Sequence, residues 1–322
     1  MTFWDILIDI INRLVPALAD AAPLALVTLA IVLIFRTSFT TNFAQGMIST
    51  TAAYVTTVFY NRYLIINFPS INGFISMMLS FILGILVGFL LGVFIDTMII
   101  RKSKFSNSLT KQMITMGSVL FIMGMLPTLF FKADLNMPTI PYFFTTRTLI
   151  PFRDKFILIQ HNHVYMILVA TLVISTVFIA LKFTKWGLGV RSTAANEKVA
   201  GMMGVNTKFI TAMSWGIAGG LGSLGAILYA STQTISAGLM VEMQVNGFLA
   251  GILGGFSTFF GPVVGAIIIP IVSTLSNYIT QKIMIGSSSL GVYYKVFVYL
   301  VILVIILIKP IGLFGKKIAK KV

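Results

Sequence analysis

From Gly73 to Ile100 the chain is apolar apart from Ser76, Ser80, Asp96 and Thr97, and this run limits the fold more than any other feature. A hydrocarbon core of about 30 Å is crossed by roughly 20 helical residues, so the run is long enough to span. Lipid offers no partner to a free N–H or C=O, which leaves only a helix or a closed barrel. Barrel strands alternate apolar and polar residues, and this stretch does not. Similar runs recur along the 322 residues, and only 10% of the chain is charged, against about 25% in soluble domains. The expected fold is an all-α integral membrane protein, a polytopic helix bundle forming one transmembrane domain over residues 1–322.

Further spans are expected at about Val15 to Phe35, Leu109 to Phe131, Val164 to Leu181, Phe209 to Ala230, Pro262 to Ile279 and Gly291 to Ile308. A shorter segment runs from about Phe43 to Tyr60. Phe3 to Leu14 reads as an amphipathic lead-in with Trp4 at the membrane interface. It carries acidic residues and no basic n-region, so no cleaved signal peptide is expected. Ser231 to Gly261 is apolar but interrupted by Glu242, Gln244 and Asn246. Its Gly254 and Gly255, with Pro262 beyond, predict a helix break or re-entrant turn, tolerated only where protein or water covers it.

The formal net charge is +15, from 23 Lys and Arg against 8 Asp and Glu. On a soluble protein that balance would point to nucleic acid. Here the basic residues cluster between apolar runs, so the expected partner is the lipid bilayer and not nucleic acid. The clusters at Arg101–Lys104, Lys182–Lys208 and Lys309–Lys321 are expected on the cytoplasmic side. The loop from Lys132 to Asn162 then faces outward. Its length points to function, its aromatic and β-branched content to ordered structure, and together they suggest a docking surface. Only three clear spans separate Lys208 from Lys309, so parity asks for another crossing around Glu242 to Phe260. Eight or nine crossings result.

Chemistry on a substrate finds no support. The chain has no cysteine, which excludes disulfides, thiolate metal sites and thiol catalysis. His161 and His163 lack a third ligand nearby, so no metal site is expected. No Ser/His/Asp grouping or paired carboxylates occur, and no catalytic residue is assigned. A P-loop is absent too, so no ATP or other cofactor is expected on this chain.

Within Lys182 to Lys208, the residues Ala195, Val199, Met202 and Met203 fall at i, i+4, i+7 and i+8, one face of a short helix. Ser192 or Thr193 is the expected start and Gly204 the expected end. A helix this short needs something to bury its face. Periodicity leaves two readings open: an interfacial helix on the bilayer, or a helix seated in the groove of a cytoplasmic partner.

Four elements in order resemble the permeases of branched-chain amino-acid ABC importers, the high-affinity leucine/isoleucine/valine type. The stretch Arg191 to Thr207 resembles that family's cytoplasmic signature. Asn42-Phe43-Ala44-Gln45-Gly46 resembles its Asn-Phe-Ala-His-Gly element, with Gln45 at the usual His. Leu253-Gly254-Gly255 with Gly261-Pro262 resembles its Leu-Gly-Gly and Gly-Pro pair. Lys309-Pro310-Ile311-Gly312-Leu313-Phe314-Gly315 resembles its ending.

The resemblance implies an ABC importer permease architecture in a bacterial cytoplasmic membrane, with a cytoplasmic coupling helix. Arg191, Ala195, Asn196, Glu197, Val199, Ala200, Met203 and Gly204 would meet the ATPase. It also implies the partners: two cytoplasmic ATPase subunits that hydrolyse ATP, a homologous second permease or a second copy of the chain, and an extracytoplasmic substrate-binding protein. Related permeases for urea, amides, sugars or nucleosides share the fold. An ion-coupled secondary transporter is the competing class, but it usually shows intramembrane carboxylates and repeats. Asn42, Gln45, Glu242, Gln244 and Asn246 are the candidates for lining a translocation path. Glu242 leads them, because an ionisable group at membrane depth is a functional candidate by default.

Overall fold

The computed structural model describes residues 3–103, 107–130, 140, 144–152, 155–285 and 288–315. Its axis is α1 (Phe3–Ser38), a single helix of 36 residues. The expected division into a lead-in to Leu14 and a span from Val15 does not occur. No Gly interrupts the helix there, the Asn12 side chain bonds to the backbone of Phe156 and Leu158, and Pro16 and Pro23 are both carried inside the helix. From Leu24 to Ile34 nearly every side chain is fully buried.

The remaining elements are α2 (Gln45–Val58), continued by a π-helical turn Phe59–Leu64 and α3 (Ile65–Asn67), and α4 (Gly73–Phe94), continued by a second π-helical turn Ile95–Ile100. Then come α5 (Ser108–Phe130), the strands β1 (Arg147–Phe152) and β2 (Lys155–Gln160), and α6 (His161–Phe183). Next are α7 (Lys185–Ala195), α8 (Glu197–Met202), α9 (Thr207–Ala230), α10 (Val241–Gly254) and α11 (Phe260–Gln281). The short strands β3 (Met284–Ile285) and β4 (Ser288–Ser289) lead through Leu290–Tyr293 into α12 (Tyr294–Ile308). Among the described residues, seven helical segments are long and apolar enough to cross a membrane, at Trp4–Ser38, Gly73–Ile100, Ser108–Leu129, His161–Phe183, Thr207–Ala230, Phe260–Gln281 and Leu290–Ile308. The protein is therefore a multi-pass membrane protein. Each of these matches an expected span to within a few residues, apart from the fused first helix.

The hairpin β1–β2 marks one end of the bundle. It lies in the loop expected to be ordered, and its two strands pair from Arg147↔Gln160 to Phe152↔Lys155. The start of α1 docks on it. Asn12 donates from Nδ2 to Phe156 O (3.0 Å) and accepts from Leu158 N (2.9 Å). Lys155 Nζ lies 3.0 Å from Asp9, and Trp4 packs on Phe152. The remainder of the Lys132 to Asn162 loop lies mostly outside the described residues, as do residues 316–322 of the basic tail. The opposite, basic end carries Arg101, α7, α8, the start of α9 and the end of α12.

Two physical devices hold the bundle. The first is close approach at glycine. Gly84, Gly88 and Gly92 form an i, i+4, i+8 stripe on α4, in which Gly88 and Gly92 meet α9 and Gly84 meets α2 at Thr56 and Ala52. A Cβ at Gly88 would sit 1.7 Å from Ser223 Oγ, one at Gly92 2.2 Å from Trp215 O, and one at Gly219 2.1 Å from Gly88 O. Small residues let backbones touch where lipid supplies no hydrophobic drive. The second device concerns α2, which is rich in hydroxyls yet mostly buried. Ser49, Thr50, Thr56 and Thr57 each donate to the carbonyl four residues earlier at 2.8–2.9 Å. The helix thus satisfies its own side chains.

The break predicted at Gly254–Gly255 is present. α10 stops at Gly254, and Gly255 takes φ +95°, a left-handed conformation open to glycine at little cost. The carbonyls freed at the end of α10 are taken by the C-terminal segment. Leu313 N donates to Leu253 O (2.8 Å) and Phe314 N to Gly254 O (3.1 Å). Gly312, at φ +87°, makes the turn that brings them there.

Replacing Gly88 by Val should separate α4 from α9 and lower stability by about 1–3 kcal/mol or more, the usual cost of overpacking. Thermal unfolding of the purified protein in detergent checks this. Gly117→Val, where a Cβ meets nothing within 4 Å, should leave the transition in place.

Candidate functional site: two polar cavities at opposite ends of the bundle

At the basic end, the expected single helix around Glu197 is two helices. α7 begins after Thr184, whose hydroxyl accepts from Gly187 N at 3.0 Å, and it contains both Ser192 and Thr193. The chain then extends at Asn196 (φ −163°, ψ 108°), and the Asn196 side chain accepts from Val199 N at 3.2 Å. Asn at this position is a strong N-cap, so Asn196 starts α8 and neither Ser192 nor Thr193 does. Ala195 therefore ends α7 and does not share a helix with Val199. Gly204 ends the second helix as expected: it takes φ +84°, and Val205 N donates back to Ala200 O at 3.0 Å.

The two helices have different surroundings. α7 belongs to the bundle, with Val190, Thr193 and Ala194 buried against α6, α9 and α1. Arg191, on its outer side, reaches back to Gly187 O (3.4 Å) and Lys182 O (3.3 Å). α8 buries only Ala200. Its remaining apolar side chains stand free, Met202 at 78% and Met203 at 80% exposure, with Val199, Glu197 and Lys198 also exposed.

Beside α8 lies a cavity of about 540 Å³ lined by Asp96, Arg101, Lys111, Glu197, Lys208 and Trp215, among others. The π-helical turn Ile95–Ile100 builds one wall. Arg101 N donates to Asp96 O at 3.1 Å, five residues back, and this wider turn puts residues i and i+5 on one face. The Arg101 guanidinium accordingly pairs with the buried Asp96 carboxylate and also donates to Lys208 O in the first turn of α9.

At the hairpin end, a cavity of about 280 Å³ lies among α1, α9, α10, α11 and α12. Glu242 at the start of α10 and Lys295 at the start of α12 form an ion pair of 2.7 Å across it, each about half exposed. Asn246, Ser273, Tyr229 and Asp20 line the same space. Asp20 went unread in the sequence, where it is one carboxylate in a long helix. The only signal was an ionisable group inside an otherwise apolar segment, the same signal that singled out Glu242. Lys295 on α12 is the partner of Glu242.

The other path candidates lie elsewhere. Asn42 and Gln45 are fully buried and bonded to each other at 3.3 Å. Asn42 Oδ1 accepts from Ala44 N (2.9 Å), and Gln45 Nε2 donates to Ala218 O on α9 (3.0 Å). Gln244 donates from Nε2 to Phe43 O (2.7 Å) and accepts from Gly46 N. These three amides thus tie the start of α2 to α9 and α10, while Glu242 and Asn246 face the cavity. His161 has both ring nitrogens engaged, by Thr146 and Thr148 at 2.7 Å each. Among the described residues no group of three His, Cys, Asp or Glu side chains is placed to hold a metal.

The family model described as "Branched-chain amino acid transport system / permease component" matches residues 13–307. Among curated relatives, the chain is similar to the probable branched-chain amino acid transport permease protein LivH of Methanocaldococcus jannaschii, 28% identical over 147 residues, or 46% of each chain. It is similar also to the high-affinity branched-chain amino acid transport system permease protein LivH of Escherichia coli, 24% identical over 151 residues (46% of this chain, 44% of that one). The corresponding protein BraD of Pseudomonas aeruginosa is 21% identical over 168 residues, 52% of each. The matched stretch thus spans about half the length of each of these relatives.

The amide cluster and the ion pair should respond differently to substitution. Gln244→Leu leaves Phe43 O and Gly46 N without partners and should cost about 1–3 kcal/mol. Glu242→Gln and Lys295→Gln break an exposed pair and should each cost less than about 1 kcal/mol. Unfolding midpoints of the three variants in one detergent compare them directly.

Proposed function

Because the chain belongs to the family of branched-chain amino acid transport system permease components, we propose that it is the membrane-crossing subunit of an ATP-driven importer for branched-chain or related amino acids. In this reading the basic end faces the cytoplasm of a bacterial cell, and the hairpin end faces outward. Two ATPase subunits engage the cytoplasmic side, and a homologous permease or a second copy of this chain completes the membrane unit. An extracytoplasmic binding protein delivers substrate at the hairpin end. ATP is hydrolysed by the partners, and the permease itself is not an enzyme.

The observation that carries the reading is α8. A six-residue helix does not hold itself together in water, yet here it is capped at both ends and raised off the bundle with Val199, Met202 and Met203 uncovered. An apolar helix face flanked by Glu197 and Lys198 suits a groove contact, in which apolar anchors supply affinity and charges fix register. A push on α8 passes to α9 through Gly204–Asn206. Alternating access follows if that push opens one end of the bundle while closing the other. The cavity containing Asp20, Glu242, Lys295 and Asn246 is then the outer end of the path. Its carboxylates and ammonium are matched to the two charges of an amino acid. Exposed pairs of this kind bind weakly, which suits a subunit that receives substrate already captured.

Gly201→Pro should break α8, since it removes a helical N–H and disfavours the helical region for Ala200. A Cβ at Gly201 meets nothing within 4 Å, so the bundle should still form. Glu197→Ala should act in the same direction. Uptake of labelled leucine by cells should fall by about tenfold or more, equivalent to roughly 1.4 kcal/mol, with the protein at its normal level in the membrane. Uptake at the unmutated rate would refute the coupling role of α8.

A further inference from the structure

The hairpin β1–β2 has two edges, and α1 occupies one of them. Asn12 meets the outward backbone of β2, donating to Phe156 O (3.0 Å) and accepting from Leu158 N (2.9 Å). In an antiparallel pair, residues directly opposite one another point their N–H and C=O groups either both inward or both away. Phe156 lies opposite Pro151, Leu158 opposite Leu149 and Gln160 opposite Arg147. Arg147, Leu149 and Pro151 therefore turn their backbone groups away from β2, along the other edge. Pro151 has no N–H to lose there. The bond from His161 N to Thr146 O (3.2 Å) falls where the same alternation requires an inward pair. Among the described residues, no hydrogen bond beyond the hairpin's own ladder reaches Arg147, Leu149 or Pro151.

Every residue of β1 is exposed, Leu149 at 50% and Ile150 at 43%. An uncovered edge is a template for another strand, and a lone two-stranded hairpin is marginal in water. The occupant that the backbone calls for is thus an extended segment, and the positions of the donors indicate which. The edge offers N–H and C=O at Leu149 and Arg147, but only C=O at Pro151. A second β1, laid antiparallel with Leu149 opposite Leu149, matches this set. The two central residues exchange both of their bonds, and each Arg147 N–H meets the Pro151 C=O of the other strand. This register overlaps Arg147 to Pro151 of both strands and gives every outward N–H an acceptor. Across it Leu149 packs on Leu149 and Ile150 on Thr148, with each Arg147 opposite a proline and no like charges opposed.

We infer that β1 is a self-pairing strand, through which two copies of this chain join edge to edge about Leu149. The contact is isologous, the same patch on both subunits, as a two-fold dimer requires. It deepens the proposed function at one point, since the second permease is then this chain itself.

The chain has no cysteine, so a single introduced thiol reports its neighbour without background. Opposed Leu149 residues would stand about 5.5 Å apart at Cα, within the span that a disulfide bridges. In membranes of cells expressing the full chain, mild oxidation should convert Leu149→Cys into a covalent homodimer. Arg147→Cys and Pro151→Cys should not crosslink alone, because each would stand roughly 14 Å along the strand from its own copy. Expressed together, those two variants should crosslink. Phe156→Cys, exposed on the edge that α1 occupies, should stay monomeric. Leu149→Pro removes the central outward N–H and leaves the hairpin ladder intact. Added to the Arg147→Cys and Pro151→Cys pair, it should cut their crosslinking by about tenfold. A homodimer no more abundant from Leu149→Cys than from Phe156→Cys would overturn the pairing. So would Leu149→Cys joined only to a protein of another size, or crosslinking indifferent to Leu149→Pro. Leucine uptake by the unmutated chain tests the import function separately, so the failure of either reading is distinguishable from failure of the other.

Discussion

A peptide group in hydrocarbon has no water to turn to, and among the described residues two interruptions of the helices are sealed accordingly. Between α1 and α2, residues 39–44 pass alongside α5, and side chains meet the backbone on either side of Phe43. Thr115 Oγ1 accepts from Phe43 N, Asn42 Oδ1 accepts from Ala44 N, and the Gln244 amide takes both Phe43 O and Gly46 N. Between α10 and α11, the carbonyls released at Leu253 and Gly254 are taken by Leu313 and Phe314. Side-chain amides seal the first break and a returning backbone seals the second.

These seals explain why the motif around Asn42 was visible in the sequence while its meaning was not, whereas the break at Gly254–Gly255 could be read from its glycines. A run such as Asn42-Phe43-Ala44-Gln45-Gly46 stands out because polar residues interrupt an apolar segment. Its partner, Gln244, lies about two hundred residues away, and nothing local links the two. Polar residues in such a segment suggest a path. The structure shows Asn42 and Gln45 bonded to each other and to backbone, with Glu242 and Asn246 at a cavity. The spans themselves were legible because length and hydropathy act locally. Asp20 was not, since the lining that gives it a role comes from α9 to α12.

The segment from Lys182 to Lys208 was read only in part, for a different reason. Ala195, Val199, Met202 and Met203 satisfy a helical spacing, and spacing is blind to a break that preserves it. Asn196 was the local evidence against one helix, as a cap residue in mid-stripe. It separates an anchored helix from a presented one: α7 is buried with the bundle, and under the proposed function α8 is the one that would follow a partner.

What α8 can move is set by the contacts beyond it. Gly204 to Asn206 joins it to α9, and α9 cannot shift alone. Its backbone lies against α4 at Gly88, Gly92 and Gly219 with no room for a Cβ, and Arg101, paired to Asp96 at the foot of α4, holds the Lys208 carbonyl. Helices α4 and α9 are therefore packed as one body. On the other side, α10 packs closely on α11: a Cβ at Gly265 would sit 2.3 Å from Ala250 O, and one at Gly254 2.1 Å from Gly261 C. The turn at Gly255 therefore joins two helices already in contact. Glu242 on α10 and Lys295 on α12 line a cavity together with Tyr229 of α9. In the proposed import cycle, motion of the α4–α9 pair against α10 and α11 would change the width of that cavity, so that a load at one end of the bundle would be felt at the other.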